Sequence, residues 1–154
     1  PSQTDALTQK GMVLLNMERI QESVATCQRA TTMDPQNAFA WASLAMALDG
    51  AERMQDALRA VERAVALDTN DPEIWAVRGA VLADAGKYSD ALHALDRSLS
   101  MNPGNQAVVE ARRDIANYRG ARNRARAGRV SRGVLAVLWG GFVEFWKAVF
   151  KGLV

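Results

Sequence analysis

Few residues in this 154-residue chain are equipped for covalent chemistry. The one cysteine, Cys27, can form neither an intrachain disulfide framework nor a cysteine zinc cluster. The one histidine, His93, removes most histidine-based metal and catalytic constellations. Asp68 and Asp71 are close enough to act as paired acids, but they flank a turn, where capping explains them better. No nucleophile beside a base, no Gly-rich phosphate loop and no metal-ligand spacing stands out. The chain is therefore expected to be non-enzymatic, with no catalytic residue, metal or cofactor.

The chemistry that remains is binding by charge and by apolar surface. The net charge of +2 conceals a division, since residues 1–111 sum to −6 and residues 112–154 to +8. An acidic body with a basic tail implies that the tail has a partner of its own. Arg119, Arg122, Arg124, Arg126, Arg129 and Arg132 punctuate a stretch without acidic residues, with Arg112 and Arg113 upstream. Such a tract can bind nucleic-acid phosphates, anionic lipid headgroups or an acidic protein surface. No aromatic residue follows Tyr118 within it, so base stacking is unsupported. A solvated linker is the bland alternative.

Residues 133–154, GVLAVLWGGFVEFWKAVFKGLV, are the least polar part of the chain. On a helical wheel Leu135, Leu138, Phe142, Phe145, Val149 and Leu153 share a face, which Trp139, Trp146 and Phe150 widen. Glu144, Lys147 and Lys151 lie on a narrow opposite stripe. Such a helix reaches about 30 Å, enough to span a bilayer, but Glu144 and Lys147 make a lone span costly. A helix lying in the membrane interface and a helix buried against a protein subunit are the other two readings. The tail is thus expected to dock on a membrane surface or membrane-bound complex. The polar start, Pro1 to Lys10, lacks a signal segment, so the expected location is cytoplasmic and peripheral at a membrane.

The elements that position these groups come from a 34-residue period. Trp41 and Trp75 are one period apart, and Leu7 holds the same place one period earlier. Gly11, Ala45 and Gly79 align, as do Leu14, Leu48 and Leu82. Ser23, Ala57 and Ala91 follow, then Cys27, Val61 and Leu95, then Ala30, Ala64 and Ser98. Pro35, Thr69 and Pro103 close the units. Cys27 shares its place with Val61 and Leu95, so it reads as a small core hydrophobe. Small residues at 11, 45 and 79 allow close helix approach, and Asp71-Pro72 reads as N-cap and N1. Helix pairs are predicted at 4–16 and 20–33, 38–49 and 54–67, and 72–85 and 88–101. A capping helix is predicted from Gln106 to Tyr118. Pro1 resembles the closing proline of an upstream repeat, or marks a removed initiator methionine.

This pattern resembles the tetratricopeptide repeat over residues 4–105, with Leu7 in place of the aromatic and Thr69 in place of the closing proline. The resemblance implies an all-α, right-handed solenoid of three helix-turn-helix repeats, with a capping helix and a C-terminal amphipathic helix. Residues 1–118 would form the repeat domain, 119–132 an Arg-rich linker and 133–154 the apolar helix. It also implies a partner-binding groove lined by the first helix of each pair. The inward positions would be Asp5, Thr8, Met12, Leu15 and Asn16, then Phe39, Ala42, Met46 and Asp49, then Glu73, Ala76, Ala80 and Asp84. Family members that clamp a C-terminal carboxylate use Lys, Arg and Asn there, and this chain offers almost none. An apolar floor with acidic edges suits an amphipathic helix or an extended segment bearing Arg or Lys. The expected function is a protein-binding scaffold or assembly factor, with self-association also open. The alternative is a nucleic-acid-associated protein that uses the Arg tract as a nonspecific phosphate binder.

Overall fold

The first helices of the second and third pairs begin on side-chain caps one period apart. Asn37 caps α3 (Ala38–Gly50) by accepting from the Ala40 N–H at 3.0 Å. Asp71 caps α5 (Pro72–Asp84) by accepting from the Glu73 N–H at 2.7 Å, and Pro72 supplies a first helical residue whose N–H is not needed. Ser2 and Asp5 form a reciprocal capping box at the start of α1 (Gln3–Asn16). The second helices are α2 (Ile20–Met33), α4 (Met54–Leu67) and α6 (Tyr88–Met101), and α7 (Gln106–Arg124) closes the array. This computed structural model describes residues 2–124, and these seven helices are joined by no strand among the described residues.

The turns inside the three pairs are copies of one another. Glu18, Glu52 and Gly86 each take a left-handed conformation, with φ of 59°, 60° and 75°. The following N–H groups, of Arg19, Arg53 and Lys87, donate back to Leu14, Leu48 and Leu82 at 2.8–2.9 Å. This is the Schellman arrangement, which satisfies carbonyls that the helix end would leave bare. Only the third repeat places glycine there, so the first two hold an L-residue in a conformation that glycine adopts more easily.

Packing follows the small-residue register. Ala57 and Ala91 are completely buried, as are Ser23, Ala30, Ala64 and Ser98. A Cβ on Gly79 would lie 2.5 Å from Leu95 Cδ2, so α5 and α6 can approach this closely only with glycine at the contact. The Ser23 hydroxyl donates to the Gly11 carbonyl at 2.7 Å, tying α2 to α1 where a second glycine exposes backbone. Cys27 is buried beside it, and burial pushes its thiol up to about 11, so it stays protonated and acts as a core group. The first helices stack on one another, α1 on α3 and α3 on α5, while each second helix lies between its own first helix and the next.

The predicted helix boundaries hold within a residue or so except at α7, which continues to Arg124. Arg119, Arg122 and Arg124 therefore sit on the capping helix rather than in a linker. Nothing from Tyr118 to Arg124 forbids helix, since Gly120 costs only about 1 kcal/mol against alanine. α7 is anchored by Val108, Ala111 and Ile115 in the core, by the Arg112–Asp96 ion pair, and by Tyr118 against Tyr88 with ring centroids 5.3 Å apart. Pro1, Arg126, Arg129, Arg132 and the 133–154 segment lie outside the described residues.

Candidate functional site

The two tryptophans mark how faithfully the repeats position their side chains. Trp41 Nε1–H donates to the Pro35 carbonyl at 3.0 Å, and Trp75 Nε1–H donates to the Thr69 carbonyl at 2.9 Å. Each indole thus ties its helix to the residue that closes the preceding unit, and the carbonyl serves whether proline or threonine carries it. Trp41 also lies beside α4, lining a shallow depression with Leu48, Arg53 and Ala60. Trp75 carries the Arg78 guanidinium 5.5 Å from its ring, and Arg78 in turn bonds Glu62 at 2.9 Å.

The layer built by α1, α3 and α5 holds the predicted groove positions at three depths. Thr8, Met12, Leu15, Ala42, Ala76 and Ala80 are buried and form the floor, with Leu15 and Ala42 belonging to the main core. Asp5, Phe39, Met46, Glu73 and Asp84 are half-buried above it, and Asn16 is exposed. Phe39 and Met46 are therefore the half-buried apolar residues among these positions, alongside the carboxylates of Asp5, Glu73 and Asp84. Ser2 holds the Asp5 carboxylate below its usual range by hydrogen bonding from both backbone and hydroxyl. Burial and then the Asp71 charge raise Glu73, while Asn105 Nδ2 donates to it at 3.3 Å.

Asp49 departs most from a surface acid. It is only 6% exposed, and its Oδ1 has no hydrogen-bond partner. Burial, then the charge and hydrogen bond of Asp84, raise its carboxyl to about 8. Burial likewise raises Asp84 to about 6, partly offset by the hydrogen bond with Asp49. The two groups share a proton at neutral pH, with Asp49 the member that carries it. Asp49 lies one residue from the end of α3, and Asp84 ends α5, where helix dipoles disfavour negative charge.

Sequence reasoning placed both residues along the groove but did not pair them. A signal was present: Asp49 occupies the register place of Leu15 and Ala83, where an apolar residue is expected. His93 is exposed on α6, as a surface residue of a second helix should be. No group of three or more His, Cys, Asp or Glu among the described residues has metal-binding geometry. No helix among them is long and apolar enough to cross a membrane.

The tetratricopeptide repeat family matches residues 14–81. The first such domain of the human RPAP3 protein is similar at 20% identity and a TM-score of 0.73, over 79% of this chain and 96% of that one. The domain of Sgt2 from Aspergillus fumigatus is similar at 17% identity and a TM-score of 0.74, over 85% and 88%. The second domain of human RPAP3, solved with the HSP70 peptide SGPTIEEVD, shares 23% identity at a TM-score of 0.65, over 74% and 95%. No curated protein matches the chain. The identities are low, and the likeness to the solved structures is one of fold. Residues 14–81 thus match the tetratricopeptide repeat family, and the three helix pairs with α7 share the fold of the solved tetratricopeptide repeat domains.

Proposed function

We propose that this chain is a non-enzymatic scaffold that holds a partner polypeptide on the face built by α1, α3 and α5. The observation that carries this reading is the half-buried pair Phe39 and Met46, set on an apolar floor and framed by Asp5, Glu73 and Asp84. A thioether and a ring on such a floor pack against an amphipathic helix or an extended segment with little reorganisation. Domains of this fold hold peptides, as with SGPTIEEVD on human RPAP3. That peptide ends in carboxylates of its own, which would meet like charge here, so a terminal-carboxylate clamp is disfavoured.

The tail extends the scaffold. We assign the Arg tract and the 133–154 segment to docking on a membrane surface or membrane-bound complex, because charge and a broad Trp-bearing apolar face are adjacent there. The test has two arms. A photo-crosslinking residue at Phe39 should capture a discrete partner that the same residue at Arg63, exposed on α4, does not. Truncation after Gly128 should release the protein from membranes while leaving the helical signal intact. Equal capture at both positions defeats the groove. A truncated protein that folds and stays bound defeats the tail assignment, and salt-dependent binding of the tail to DNA without flotation on liposomes would favour the nucleic-acid reading.

A further inference from the structure

We propose that the paired carboxyl groups of Asp49 and Asp84 form a receptor for one guanidinium group, carried by an arginine of the partner segment. This rests on the reading that the α1/α3/α5 face holds a partner, and it names the chemistry that the partner must bring. Four observations converge on it.

The first is the orphan oxygen. Asp49 is 6% exposed and its Oδ1 has no partner, although buried polar atoms in folded proteins are nearly always satisfied. The second is that the solenoid does not require acids here. Leu15 and Ala83 hold the register place of Asp49, and Asn16 and Gly50 hold that of Asp84, while all three repeats keep the same turn. The third is position. Both carboxyls stand at C-terminal helix ends, and neither α3 nor α5 has a basic residue in its last turn. Two negative helix ends and two carboxyls make a field that attracts a cation. The fourth is that no cation of the described residues answers it. Among the described residues, no charged group of α1, α2, α4 or α6, which pack against these helices, acts on either carboxyl; burial and the other carboxyl are what influence each. The carboxylates of Asp5 and Glu73, the other acids of this face, accept from the Ser2 backbone N–H and from Asn105 Nδ2.

A guanidinium fits better than an ammonium. It presents five N–H donors in a flat fork, can bridge two carboxylates and still reach an unsatisfied oxygen, and loses less on leaving water. The buried setting strengthens the pairing because little water screens it. Seating the cation requires both acids ionised, so it displaces the proton that the empty pair shares. With Asp49 raised to about 8 and Asp84 to about 6, affinity should rise with pH from about 6 and level off above about 8.

The experiment uses the full chain as bait for a phage-displayed library of random 16-residue peptides. Groove binders are the selected peptides weakened by Phe39→Ala combined with Met46→Ala. These should share one arginine. Replacing it with citrulline, which keeps the shape and removes the charge, should weaken binding at least tenfold at pH 8.5, and lysine should restore only part. Asp49→Asn, or Asp84→Asn if the first folds poorly, should cause a similar loss and flatten the pH dependence. Wild-type affinity should fall at least tenfold between pH 8.5 and pH 6. Groove binders that lack arginine, or that ignore both Asn variants, overturn the receptor and leave the groove standing. Peptides that all ignore Phe39 and Met46 overturn the groove reading and the receptor with it. Carboxyl carbon NMR covers the remaining outcome. If Asp49 is already ionised at pH 6 and becomes neutral when the tail arginines are changed to Gln, the occupant is this chain's own Arg tract, and the partner assignment fails.

Discussion

Transferring bulk across the α5–α6 contact should be far less costly than adding it to one side. Gly79→Ala puts a methyl 2.5 Å from Leu95 Cδ2 and 2.7 Å from its Cγ, well inside contact distance. Alanine improves helix propensity by about 1 kcal/mol, but overpacking a core typically costs about 1–3 kcal/mol, so the single variant should be destabilised by up to about 2 kcal/mol. Leu95→Val alone removes buried bulk from a residue with no exposure and should cost about 1 kcal/mol. The middle repeat already carries the transferred combination, with Ala45 and Val61 at the same two places and both fully buried. The double variant should therefore keep the propensity gain without the clash and come within about 0.5 kcal/mol of the parent. Urea unfolding followed by circular dichroism reads this as a shift of midpoint at constant slope. Coupling between the two substitutions should be at least about 0.5 kcal/mol in the favourable direction. Additive losses would mean that the backbone, not Leu95, absorbs the methyl, and that matched sizes across the register do not set the helix spacing.

Asp49 predicts an unusual stability profile. Its folded-state carboxyl is raised, so the folded chain holds a proton that the unfolded chain releases, and stability falls as pH rises from the ordinary aspartate range to about 8. Between pH 5.5 and pH 8.5 the loss should be about 3 kcal/mol, and Asp49→Asn should abolish most of it in urea titrations at the two pH values. A parallel loss in the variant would place the effect elsewhere. Ala57→Arg or Ala91→Arg should cost more than about 3 kcal/mol, because each forces a charged chain into a fully buried contact, and an unchanged midpoint would mean these faces open readily. Glu52→Gly should stabilise by up to about 1 kcal/mol by relieving its positive φ, and Gly86→Ala should lose a comparable amount although a Cβ there meets open space. Opposite signs in thermal melts would show that those turns relax at no cost.

The repeat architecture was legible because it is written in local, recurring residues. A period of 34 with Trp41 and Trp75 in phase, alanines at 57 and 91, and Asp71-Pro72 at a helix start needs no knowledge of distant contacts. Capping and helical periodicity act within a few residues, and three copies of the pattern reinforce one another. Even the role of Cys27 followed from the company it keeps at its register place. The end of α7 was less legible, because no breaker lies between Tyr118 and Arg124 and helix can simply continue.

The site depends on what the period alone does not specify. Asp49 and Asp84 are 35 residues apart, one out of step with the repeat, so no alignment of units pairs them. They meet because α3 and α5 stack side by side in the solenoid, which brings the ends of two separate helices to one spot. The sequence supplied two acids and assigned them to an edge. Stacking removed water from one of them, left its Oδ1 without a partner and made the pair share a proton. Burial and the approach of like charges are properties of tertiary packing, and they turn an ordinary acidic border into a place that lacks a cation.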